Sequence, residues 1–203
     1  MKKKLALFFA LVGWFAVIAQ FILMIENRVT PIPEAVIRFF SFFTILTNTL
    51  VAVYFTCIGL MKNHESKTIN KPGILTAITI YIFMVGIVYQ IALRQVWQPE
   101  GLQKIVDELL HSIIPILVIV FWYKYERTKS LKHSQLLLWA IYPIIYLAFV
   151  LIRGSFSNFY PYPFVDVTNL GMASVLTNSV ILLVVFSVIS SLFVFIGKTI
   201  IKR

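Results

Sequence analysis

Six apolar runs, at about 5–25, 37–61, 73–93, 108–123, 135–152 and 172–197, leave this chain few ways to fold. Each is close to the ~20 residues a helix needs to cross ~30 Å of hydrocarbon. Of the 203 residues, 60% are hydrophobic, and the mean hydropathy is +0.89. Water-soluble domains do not reach that composition. The connections between runs are too short for a separate soluble domain. The sequence therefore predicts an all-α fold, an integral membrane bundle of six transmembrane helices forming one domain over 1–203. The matching location is the cell membrane, as a multi-pass protein.

A net charge of +10 invites a nucleic-acid reading, but its distribution argues against one. When the segments between runs are assigned alternately to two sides, only Arg28, Arg38, Arg94, Lys104 and Arg153 fall on one side. The other 13 of the 18 basic residues fall on the opposite side. This asymmetry follows the positive-inside rule and predicts that both termini are cytoplasmic. The basic surplus is a topology signal and a complement to anionic membrane lipid; no nucleic-acid partner is expected. Lys2-Lys3-Lys4 resembles the start of a secretory signal, yet the apolar run continues to Ile25 and reads as a retained first span. The single cysteine, Cys57, lies within the second run, so no intrachain disulfide forms. No Cys/His metal spacing, Gly-rich phosphate loop or Gly-x-Ser-x-Gly elbow is present, and no cofactor or metal is expected.

Against this background a few polar residues stand out. Hydroxyls, amides and imidazoles are costly in hydrocarbon unless they find partners or do work. Thr44, Thr47 and Asn48 share one side of the second run, being three and four residues apart. His111 heads the fourth run, with Asp107 four residues before it. Counted along the runs at the helical rise, Thr44 lies ~10 Å, His111 ~5 Å and Asn178 ~9 Å below the outer surface. The three thus fall in one layer. A weak echo joins Thr44–Thr49 (TILTNT) to Ser174–Ser179 (SVLTNS) on the sixth run.

The chemistry these residues permit is nucleophilic. A threonine hydroxyl needs an adjacent base, and a neutral histidine on a neighbouring helix supplies one. Asp107 would orient the imidazole, as the third member of a triad does. Asn48, Asn178 or a backbone N–H would stabilise the oxyanion. Arg153, at the outer end of the fifth run, either snorkels or binds a substrate carboxylate. Plainer readings stand beside each of these. Thr47, Thr49 and Thr177 suit bonds back to their own helix, and Asp107 and Glu108 suit a helix N-terminus. Pro115 marks a kink. His111 itself can sit wet at the interface. His64 and His133 read as solvated loop residues.

Phe43-Thr44-Ile45, Leu110-His111-Ser112 with Pro115, Tyr162-Pro163-Phe164 and Asn178 also carry a family resemblance. Together they resemble the androgen-induced, androgen-dependent family of six-span membrane proteins, and in particular its uncharacterised bacterial relatives. The resemblance implies an intramembrane threonine hydrolase acting on a fatty-acid ester of a hydroxy fatty acid or a similar lipid-like substrate. It implies Thr44 as nucleophile and His111 as second catalytic residue; the prolines and aromatics of the Tyr162-Pro163-Phe164 loop suit a cap over the cavity. Thr47 stands where animal members carry an acidic residue, which makes it a second candidate nucleophile. The alternative is a non-catalytic membrane protein that binds or transports a small amphipathic ligand.

Overall fold

In the computed structural model, which describes residues 1–61, 69–126 and 128–201, all regular structure is helical. Six of its helical stretches are long and apolar enough to cross a membrane: Lys2–Glu26, Phe43–Leu60, Ile74–Leu93, Gly101–Tyr125, Gln135–Ser157 and Met172–Thr199. The protein is an all-α, multi-pass membrane protein. Lys62, His64, Lys67, Arg127, Lys202 and Arg203, which entered the charge and loop assignments above, lie outside the described residues. The chain divides into two compact units, Met1–Ser130 and Leu131–Lys202.

The first unit is organised by close helix packing. Helix α1 (Lys2–Glu26) buries Ala6, Ala10, Gly13 and Ala16, so small residues line its inner face. This stripe lies along α3 (Phe43–Leu60). A Cβ placed on Gly13 would sit 3.1 Å from the Cβ of Ala52, and one on Gly59 only 2.4 Å from Leu7. Small residues let membrane helices approach until backbone and side chain interlock, which replaces the hydrophobic drive that lipid removes. The Trp14 indole donates to Thr56 Oγ1 at 3.0 Å and ties the two helices further. Phe9, Phe55 and Phe121 then join α1 and α3 to α6 (Ile114–Tyr125), with ring centroids 4.8–5.9 Å apart. Edge-to-face geometry predominates, as the ring quadrupoles prefer.

Two helix starts differ from the sequence expectation, for local reasons. The second run breaks in two. Pro31 and Pro33 open a short helix α2 (Ile32–Phe39), the chain bends at Phe40–Phe42, and α3 begins at Phe43. Phe42 is extended (φ −82°, ψ 125°), and its carbonyl takes the N–H groups of Ile45 and Leu46. The fourth run starts earlier than expected. Helix α5 (Gly101–Glu108) passes through a π-helical turn at Leu109–Ile113 into α6. Glu108 is therefore not at a helix start, and the dipole explanation for it fails. It accepts instead from Arg94 and, at 2.7 Å, from Ser112. Helix α4 (Ile74–Val88) likewise ends in a π-turn at Tyr89–Leu93.

At the far end of this unit Glu126, 5% exposed, accepts from the Thr76 N–H at 2.9 Å and from Thr76 Oγ1 at 2.8 Å. The Trp122 indole donates to the same Thr76 hydroxyl. A carboxylate at the first turn of α4 takes an orphan donor and complements the helix dipole.

The second unit contains α7 (Gln135–Ser157), a short α8 (Val167–Leu170) and α9 (Met172–Ile196). Helix α7 closes on Asn158 in the left-handed region (φ 53°), whose N–H returns to the Gly154 carbonyl at 2.8 Å. The loop that follows is built rather than slack. The Tyr160 ring occupies the space over Gly154, where any Cβ would fall 2.0 Å from the ring. Tyr162 and Phe164 stack with centroids 5.2 Å apart. Gly154→Val is expected to expel the Tyr160 ring and free the loop. Hydrogen exchange at 158–165 should accelerate at least about tenfold, the equivalent of ~1.4 kcal/mol of lost protection, while exchange in α1 and α3 stays unchanged.

Candidate functional site

Thr44 is the second residue of α3, where a hydroxyl faces the positive end of an 18-residue helix. The bend at Phe40–Phe42 puts it there. His111 lies within the π-turn between α5 and α6. Thr44 Oγ1 and His111 Nε2 are 3.3 Å apart, and Thr44 is only 7% exposed. The layer counted along the runs rested on helix starts the structure moves; direct contact replaces that argument for these two residues.

Pro115 accounts for the π-turn. It has no N–H to offer the preceding turn. Ile114 N–H reaches back to Leu109 O, a wide-turn bond, and the Leu110 carbonyl would be left without its helical donor. Asn48 supplies that donor from α3. Its amide nitrogen gives one hydrogen bond to Thr44 O at 2.9 Å and another to Leu110 O at 3.3 Å. Both donors of the amide are thereby committed to backbone carbonyls, so Asn48 braces the two helix segments instead of offering an oxyanion donor. Its Oδ1 is buried without a partner. Asn48→Leu is expected to leave the Leu110 carbonyl unsatisfied and to cost about 1–3 kcal/mol, readable as a lower midpoint of thermal unfolding in detergent.

The other ring nitrogen of His111 faces Asp107. Nδ1 lies 2.9 Å from the Asp107 carbonyl and 3.2 Å from Oδ1 of its carboxylate. Two acceptors on one side place a proton on Nδ1; in the neutral imidazole the Nε2 lone pair is then directed at the Thr44 hydroxyl. Asp107 is 5% exposed, and its second oxygen accepts from the Tyr89 hydroxyl. The Tyr89 ring stacks on the His111 ring, with centroids 4.1 Å apart and planes 14° apart. Sequence reasoning missed Tyr89 altogether.

Thr47 is fully buried on α3, one turn beyond Thr44. Arg153 and Asn178 belong to the second unit. There Arg153 donates to Phe159 O at 3.4 Å and covers the Phe159 ring, while Asn178 donates to Phe164 O at 3.0 Å. Both contacts hold the Phe159–Phe164 loop. Thr177 bonds back to Ala173 O at 3.0 Å, whereas the Thr49 hydroxyl is buried without a partner. Among the described residues no three of His, Cys, Asp and Glu gather where they would hold a metal ion.

No family model matches the chain, and no curated protein or solved structure does either. The fold and the site define a multi-pass helical membrane protein in which a threonine hydroxyl meets an oriented histidine.

Proposed function

We propose that the protein is an intramembrane hydrolase of a lipid-like ester, with Thr44 as nucleophile and His111 as general base. The observation that carries this reading is the 3.3 Å approach of Thr44 Oγ1 to Nε2 of a histidine whose Nδ1 is held by Asp107. That arrangement is the nucleophile–base–orienter pattern of acyl transfer. A fatty-acid ester of a hydroxy fatty acid is the substrate class that the resemblance to the androgen-induced, androgen-dependent family suggests. We assign the protein to the cell membrane with both termini cytoplasmic, on the charge asymmetry alone.

Thr44 Oγ attacks the ester carbonyl carbon while its proton passes to His111 Nε2. The tetrahedral oxyanion forms beside the first turn of α3, where the helix dipole favours negative charge. Its collapse expels the alcohol, which takes the proton back from Nε2 and leaves an acyl-Thr44 ester. Water then gives a proton to Nε2 and attacks the acyl carbon. Thr44 departs with that proton, and the free acid leaves.

Purified protein in lipid nanodiscs, offered a panel of long-chain esters, tests the reading. Hydrolysis by wild type and its loss in Thr44→Ala support it. Saturable ligand binding or vesicle uptake with no turnover overturns it in favour of a binding or transport protein.

A further inference from the structure

Tyr89 is 3% exposed and lies at the start of the π-turn that ends α4. Its surroundings are built around His111. Gly86, one turn earlier on the same face, brings α4 against the second π-turn. A Cβ there would meet the His111 carbonyl at 3.2 Å and the Pro115 ring at 3.4 Å. The close approach lets the two rings lie face to face, 4.1 Å between centroids. The Tyr89 hydroxyl then bonds Oδ2 of Asp107, the carboxylate whose Oδ1 lies 3.2 Å from His111 Nδ1. One side chain thus contacts both the face of the imidazole and the carboxylate that orients its edge. Arg94, one π-turn on, places its guanidinium 5.8 Å from the Tyr89 ring centroid.

We infer that Tyr89 is the positioning residue that sets the plane and the tautomer of His111. Its effect on turnover rests on the hydrolase reading; its effect on the imidazole does not. Without the phenol, the Asp107 carboxylate loses the bond that fixes its rotation. The imidazole is then held at Nδ1 by the Asp107 backbone carbonyl alone. Without the ring as well, the imidazole plane is unclamped, and a ring flip can present a protonated nitrogen to Thr44. A hydroxyl facing N–H has no base.

Nitrogen-15 histidine spectra of the full chain in nanodiscs test this, with His111→Gln identifying the His111 signals. In its neutral form the wild-type imidazole should be protonated at Nδ1 only. Tyr89→Phe keeps the ring and loses the donor, and should show a measurable fraction protonated at Nε2. Tyr89→Leu loses both and should show a larger one. Turnover should fall in parallel, about 10-fold for Tyr89→Phe and about 100-fold for Tyr89→Leu, with KM unchanged, because proton transfer is lost and binding is kept. Spectra of Tyr89→Phe and Tyr89→Leu identical to wild type overturn the inference, even in an active hydrolase. If Tyr89→Leu does not fold, the near-isosteric Tyr89→Phe decides alone. Absence of turnover in wild type, with the tautomer shifts intact, overturns the hydrolase reading and leaves this inference standing.

Discussion

Thr44→Ala should reduce ester hydrolysis by about 10³-fold or more, because the variant has no oxygen to carry the acyl group. The substitution is small: Thr44 is the second residue of α3, and Ala is a better helix former than Thr. The fold should survive, and KM for any residual turnover should change little. Thr44→Ser separates chemistry from packing. It keeps the hydroxyl 3.3 Å from His111 Nε2 and removes only a methyl group, so it should retain a substantial part of wild-type turnover. Thr47→Ala supplies the contrast, since Thr47 lies one turn deeper on α3 and is fully buried. It should cost stability before it costs chemistry. Steady-state kinetics on the three variants in one lipid composition reads all of this. Equal loss in Thr44→Ala and Thr47→Ala would move the nucleophile.

His111→Gln is expected to lower kcat by about 10²–10⁴-fold, the range a positioned general base contributes. Glutamine can keep a hydrogen bond toward Thr44 without accepting a proton from it. Substrate affinity should be nearly preserved, so the loss should appear in kcat and in kcat/KM alike. In the proposed mechanism acyl-enzyme formation and its hydrolysis both pass a proton through Nε2, so neither phase should recover. A single-turnover experiment with a chromogenic ester separates them. Loss of the second phase alone would mean that His111 activates only the water.

Much of this site was legible in the sequence, because lipid makes polar residues conspicuous. Thr44 and His111 stood out as a hydroxyl and an imidazole in apolar runs, and the four-residue spacing from Asp107 to His111 marked the orienting contact. The helix starts were not legible in the same way. Phe40-Ser41-Phe42 breaks a helix without a proline or glycine at the break itself, and the Ser41 hydroxyl donates back to Ile37 O at 2.7 Å. Glu108 resembled a helix start because α5, the first part of its span, is only weakly apolar.

Tyr89 was hidden for a different reason. A tyrosine near the end of a membrane helix ordinarily reads as an interfacial anchor. Its meeting with Asp107 and His111 depends on two π-turns, each adding a residue that helical periodicity does not register. Asn48 looked like an oxyanion donor until the π-turn before Pro115 gave it a carbonyl to satisfy. Glu126 went unremarked in the sequence because its partner, the first turn of α4, is 50 residues away. Arg153, read as a snorkelling or substrate-binding cation, covers the ring of Phe159, a contact the spacing along α7 does not register.

The most direct measurement is to treat the nanodisc-embedded protein with a fluorophosphonate and locate the adduct by peptide mass spectrometry. An activated hydroxyl should displace fluoride and retain the phosphonyl group. The account predicts a single adduct on Thr44, absent in Thr44→Ala and strongly diminished in His111→Gln. An adduct on another residue, or equal labelling of wild type and His111→Gln, would contradict it.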